Sequence, residues 1–170
     1  MKKSIDQLDL TDSQKDLIRK VVAQAGETIQ LAELMPVLFL QAPDGKTHIV
    51  GTQFNGDDIS EVGKSKDAFS IFAKVKALEI GADFCVFMSE SWTLSGADAD
   101  EFLKNRHKYP NGVVDHPNKI DVLTVMVEKI NQSWSGTARI IDRKLGPIVF
   151  GDATSSTGRF GSFLLPSGRR

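Results

Sequence analysis

The sequence predicts an α+β fold with the element order α-β-β-α-β-β-β-β, a mixed or mostly antiparallel sheet, and two helices packed on one face. Three observations lead there. Apolar residues recur at helical spacing in two segments, residues 17–25 and 68–78. Short apolar runs of strand length lie between and after them, bounded by glycine, proline and asparagine. No internal repeat, low-complexity tract or linker interrupts the 170 residues, so one domain over 1–170 is expected, with an irregular tail from about 151.

The first helix opens at Thr11, which forms a capping-box pair with Gln14. Leu17, Ile18, Val21, Val22 and Ala25 supply its apolar face, and Gly26 reads as its stop. Residues 36–41 and 47–54 read as a hairpin, because Ala42-Pro43-Asp44-Gly45 carries turn chemistry. A polar loop over 55–66 leads to a second helix at about 65–80. Its expected core face is Ala68, Ile71, Phe72, Val75 and Leu78, and Gly81 ends it. Residues 83–94 form the third strand, 96–104 a short acidic helical turn, and 105–118 a loop with two prolines and a glycine. Residues 119–130 read as a long strand, with 136–142 and 147–150 as two more around the Leu145-Gly146-Pro147 turn. In the tail, Phe160, Phe163, Leu164 and Leu165 are expected to tack the chain onto the body, while Arg169 and Arg170 fray.

Hydrophobic residues at 41% and charged residues at 25% match an ordinary globular chain. The net charge of −1 gives no strong drive toward nucleic acid or an anionic membrane. The one cysteine, Cys85, lies in an apolar run and cannot form an internal disulfide. The basic start, Met1-Lys2-Lys3-Ser4, runs into polar residues rather than a signal-peptide core, and no apolar run is long enough to span a bilayer. A cytoplasmic location follows as the expectation.

Gly63-Lys64-Ser65 fails as a phosphate-binding loop, because the position five before Gly63 is Asp58 rather than glycine. The strand over 83–94 is more informative. Alternation puts Phe84, Val86, Met88, Glu90, Trp92 and Leu94 on one face, and Glu90 is the charged member of that row. Such a carboxylate is a general base, a metal ligand or a binding anchor; otherwise it is solvated, or held in a structural ion pair where the strand leaves the core. If residues 119–130 pair antiparallel with this strand, the intervening loop carries His116, Lys119 and Asp121 toward Glu90 and Trp92. His107 and Tyr109 lie in the same loop. The plain alternative is that Pro117 stiffens the strand's start and His116 caps the loop. A metal-dependent isopeptidase site would need His-x-His-Pro, but Val114 stands two before His116. His48, His107 and His116 show no metal spacing, no Gly-x-Ser-x-Gly is present, and Cys85 sits where a thiolate is disfavoured. No cofactor and no metal are expected.

Ser89-Glu90-Ser91-Trp92 and, after a variable loop, His116-Pro117-Asn118-Lys119-Ile120-Asp121-Val122 resemble paired motifs of small uncharacterised bacterial and phage proteins. Those share a Ser-Glu-x-Trp strand and a His-Pro-x-Arg-x-Glu strand. Gly158-Arg159-Phe160 with Leu164-Leu165 is similar to their ending. The likeness covers roughly the C-terminal half. Lys119 replaces the usual Arg and Asp121 the usual Glu, which keeps charge but loses the planar guanidinium fork. The resemblance implies a site without implying an activity.

Three functions stand as expectations. The first is a non-enzymatic accessory or binding protein with a small-ligand pocket around Glu90, Trp92, His116, Lys119 and Asp121. The second is a hydrolase-type enzyme using Glu90 and His116 as acid–base groups, which requires both to reach one reacting atom. The third is a nucleic-acid-associated protein using Lys104, Arg106, His107, Lys108, Arg159, Arg169 and Arg170. That cluster is offset by Asp98, Asp100 and Glu101, so nucleic acid is not the expected partner. A second copy of the chain could complete a sheet covered by only two helices.

Overall fold

The computed structural model describes residues 2–51, 59–152, 163 and 164, with side chains in the second helix from Asp67 onward. The expectations for residues 52–58 and for Arg159, Phe160, Leu165, Arg169 and Arg170 lie outside the described residues.

Helix α1 spans Asp12–Leu31 and opens on the Thr11–Gln14 capping box. It runs through Gly26 rather than stopping there. Gly26 costs about 1 kcal/mol relative to alanine in a helix interior. Ile29 continues the face of Ile18, Val21 and Ala25 and is fully buried, worth about 1.5–3 kcal/mol. Burial of Ile29 outweighs the glycine, and the helix ends at Ala32.

Strands β1 (Val37–Gln41) and β2 (Thr47–Gly51) form the expected hairpin, with Gly45 at φ +83 in the turn. Helix α2 spans Ile59–Glu79, beginning well before the expected start. Gly63-Lys64-Ser65 therefore lies within helix, which leaves no loop there to wrap a phosphate. Strand β3 is Phe84–Thr93, and helix α3 is Ala97–Lys104. Two 3-10 turns, Arg106–Lys108 and Gly112–Asp115, complete the excursion to β4 (Ile120–Lys129). Strands β5 (Gln132–Ile141), β6 (Lys144–Leu145) and β7 (Val149–Asp152) follow.

Among the described residues every strand pair is antiparallel, in the order β2-β1-β3-β4-β5-β6, with β7 also on β5. Strand β5 starts four residues earlier than expected because Asn131, at φ +67, turns the chain tightly after β4. Gly136 in β5 is required by packing: a Cβ there would stand 2.5 Å from the Phe150 ring on β7.

The two long helices cover opposite faces of the sheet, not one. Phe84, Val86 and Met88 of β3 pack with Ile18, Val21, Ala25 and Ile29 of α1. Cys85 and Phe87 pack with Phe69, Ala73 and Ala77 of α2, joined by Phe163 and Leu164. The cause is visible in β3: residues 84–88 are apolar without interruption, and a strand buried on both faces needs cover on both. A second correction concerns α2. Its inward face is Phe69, Ser70, Ala73 and Ala77, whereas Ala68, Ile71, Phe72, Val75 and Leu78 face out. The small Ala73 and Ala77 let the helix lie close to the sheet, and Phe69 meets Phe87 and Phe163 at ring-centroid distances of 6.1 and 6.4 Å.

Candidate ligand-binding corner

Strand β3 leaves the core partway along its length. Met88 is fully buried, Glu90 is partly covered, and Trp92 is 49% exposed. The β3–β4 register sets Trp92 opposite Asp121 and Glu90 opposite Leu123. Lys119, just before β4, stands with its Nζ 5.8 Å from the Trp92 ring centroid and donates a 2.7 Å hydrogen bond to the Val114 carbonyl. Thus Glu90, Trp92, Lys119 and Asp121 share one corner, as the hairpin argument requires.

Glu90 is engaged on both oxygens. Its Oε1 accepts the Leu34 N–H at 2.9 Å, and the Arg143 guanidinium meets Oε1 and Oε2 at 3.3 Å each. Arg143 sits at the β5–β6 tip, where Asp142 and Arg143 both have positive φ, as a two-residue hairpin turn requires. The same guanidinium donates to the carbonyl of Ala32, the C-cap of α1. A cation there satisfies an orphan carbonyl and complements the helix dipole. Glu90 and Arg143 therefore clasp the end of α1 to the sheet. This is the structural ion pair that the position of Glu90 at the core's edge allows.

The clasp floors an open groove of about 530 Å³, within the range typical of small-molecule sites. The α1 terminus (Leu31, Ala32, Glu33) forms one wall, and Trp92 and Asp121 form the other. Glu33 and Asp121 are exposed carboxylates on this rim. Behind Trp92 lies a second, more apolar cavity of about 230 Å³, bounded by Leu94, Phe102, Leu103 and Val113. The Trp92 ring is the wall common to both.

His116 belongs to a different constellation. It is 4% exposed, and its Nδ1 accepts the Asn118 N–H at 3.1 Å, which in the neutral ring leaves the proton on Nε2. Nε2 faces Glu101 Oε2 at 3.4 Å, and the Tyr109 hydroxyl donates to the same oxygen at 2.9 Å. The His116 and Tyr109 rings stand 5.0 Å apart. The Glu101 hydrogen bond also raises the Tyr109 pKa. This network fixes α3 and its following turns beside Trp92, and His116 is not among the residues bounding the Glu90 groove.

Sequence reasoning missed Arg143, the α1 terminus and Glu101. The signal for Arg143 was the pair Asp142-Arg143 between two strand-like runs; that for Glu101 was its spacing within an acidic helix. Among the described residues, no group of three or more His, Cys, Asp or Glu side chains could hold a metal ion. Nor is any helix long and apolar enough to cross a membrane. Lys104, Arg106, His107 and Lys108 lie on α3 and the turn after it, beside Asp98 and Asp100. Cys85 is buried opposite Glu128, and burial pushes its thiol pKa well above the ordinary value, which disfavours the thiolate. Comparison with family models, with curated proteins and with solved structures gives no match for this chain.

Proposed function

We propose that this is a non-enzymatic binding protein whose ligand rests on Trp92 in the groove between the α1 terminus and the β3–β4 end. The observation that carries this reading is the half-exposed Trp92 ring, shared by a charged groove and an apolar cavity. An indole face accepts flat rings and cations. Lys119 stands 5.8 Å from the ring centroid but is not among the residues lining the groove, so the ligand meets the ring from the groove side. The rim carboxylates Glu33 and Asp121 favour a positive charge. The ligand class is therefore a small, flat molecule bearing an amine or amidine.

An acid–base enzyme is less well supported. Glu90 is spent on Leu34 and Arg143, while His116 is spent on Asn118 and Glu101. Two catalytic groups must reach the same proton-transfer site, and these serve separate networks. Membership of the bacterial and phage group with the Ser-Glu-x-Trp and His-Pro strands forms part of this proposal, as does a cytoplasmic location.

Calorimetric titration with benzamidine and tyramine, with neutral benzamide as control, tests the reading. Saturable binding of the cationic probes is expected. Trp92→Ala should weaken it about 3- to 30-fold, the equivalent of a cation–π contact of about 0.5–2 kcal/mol. Absence of saturable heat, or equal binding by Trp92→Ala, would overturn it.

A further inference from the structure

We infer that the outward stripe of α2 is a homodimer contact, packed in solution against α2 of a second copy of this chain. Ile71, Phe72, Val75 and Leu78 are 65, 58, 58 and 52% exposed, and they lie along one side of a single helix. The opposite side, Phe69, Ala73 and Ala77, is buried against the sheet. From residue 68 to 78 the helix is thus apolar on both sides, a pattern that belongs to a helix covered on both sides. Apart from Phe69, the residues it turns inward are small, Ser70, Ala73 and Ala77, so most of its large apolar side chains stay outside.

The spacing identifies the kind of surface that fits. Ala68, Ile71, Val75 and Leu78 recur at intervals of three, four and three, the seam that another helix reads by knobs-into-holes packing. An extended partner would instead read alternate residues. The seam is eleven residues long, about 15 Å of helix. Charge does not oppose an identical partner. Lys74, Lys76 and Glu79 give the flanks both signs, and the chain's net charge is −1. Two copies therefore meet little repulsion, and no strong field selects an oppositely charged protein. A two-fold axis brings the same stripe from each copy face to face, which an apolar seam satisfies without further design.

Area sets the strength. Four side chains more than half exposed amount to roughly 400 Å² per copy, comparable to the largest apolar patch of a typical monomer. Pairing two such stripes buries on the order of 1,000 Å² with their surroundings, the lower limit for a specific interface. The dimer should therefore be concentration-dependent. The Trp92 corner lies on the α1 face of the sheet, so dimerisation leaves it open, and the two proposals stand or fall separately.

Sedimentation velocity over about 1–500 µM, the range in which so small an interface exchanges, tests the inference. The full chain should shift from the mass of one chain toward two. Val75→Glu should hold it at one chain throughout, with an unchanged circular dichroism spectrum. Phe72→Gln serves as the second variant should Val75→Glu fold poorly. Ile49→Ser, on the exposed edge strand β2, should leave the dimer intact. A wild-type chain that stays monomeric over the whole range overturns the inference. So does a dimer that survives both α2 substitutions, or one lost only in Ile49→Ser.

Discussion

Glu128 brings a carboxylate beneath α2, where it accepts the backbone N–H groups of Phe163 at 3.0 Å and Leu164 at 3.3 Å. Burial, the largest influence, raises its pKa above the ordinary 4.5, against the lowering effect of those N–H groups, Cys85 and Lys74. The folded protein therefore holds this proton over a pH interval in which the unfolded chain has released it. Stability from Glu128 is fully present below the unfolded value and is lost as pH rises through the folded one. Asp9, Asp44 and Asp152 act oppositely. Hydrogen bonds from Lys129, Lys46 and Lys3 lower their pKa values, so their contribution is lost as pH falls. Comparison with Glu128→Gln isolates the buried group. By urea denaturation, the stability difference, wild type minus variant, should shrink as pH rises upward from about 4.5 and then level off. A difference that grows over that interval would contradict the assignment. Glu90 teaches the complementary lesson. Its place in an apolar row was legible from alternation alone, but its partner, Arg143, lies 53 residues away and becomes visible only through tertiary structure.

Among elements, the β5–β6 hairpin does the most to shape the groove. Its tip holds Arg143 at φ +58, a conformation that costs a non-glycine residue roughly 1 kcal/mol. The guanidinium is nearly half exposed, so its ion pair with Glu90 contributes only about 1 kcal/mol. Its bond to the Ala32 carbonyl adds a comparable stabilisation at the helix end. Arg143→Ala should then lose about 1–2 kcal/mol, and Arg143→Gly less, because glycine relieves the backbone cost. Denaturant midpoints of the two variants measure this, and equal stability of Arg143→Ala and wild type would contradict the clasp. The capping box of α1, the β1–β2 hairpin and the pairing of β3 with β4 were all legible, because each rests on local chemistry or strict alternation. The extension of α1 past Gly26 was not, since burial of Ile29 outweighs a local stop signal. The inward face of α2 was misread for a related reason. Periodicity defines two apolar sides there, and only packing of Ala73 and Ala77 against the sheet decides which one turns in.

At the scale of the molecule, one antiparallel sheet carries a different core on each face, and Phe163 and Leu164 close the second of them. Phe163 and Leu164 are buried with Phe69 and Phe87, in keeping with the apolar residues that interrupt the polar tail. Each is worth about 1.5–3 kcal/mol, a large share of the 5–15 kcal/mol typical of a folded domain. Deleting residues 163–170 should lower stability by about 3–6 kcal/mol and strand Glu128 without its N–H partners. Changing both Phe163 and Leu164 to alanine in the full chain should lose a comparable amount. A double variant as stable as wild type, read from thermal unfolding, would contradict this closure. The sequence carried the location of the candidate site better than its membership. Glu90, Trp92, Lys119 and Asp121 meet as expected, whereas His116 supports the neighbouring α3 segment through Glu101 and Tyr109.

The binding claim centres on one indole, and the chain contains two, Trp92 at the corner and the fully buried Trp134. Nitrogen-15 correlation spectra resolve both indole N–H signals during a benzamidine titration. The Trp92 signal should move saturably while that of Trp134 stays fixed. If neither signal moves, or if Trp134 shifts and Trp92 does not, the corner is not the ligand site.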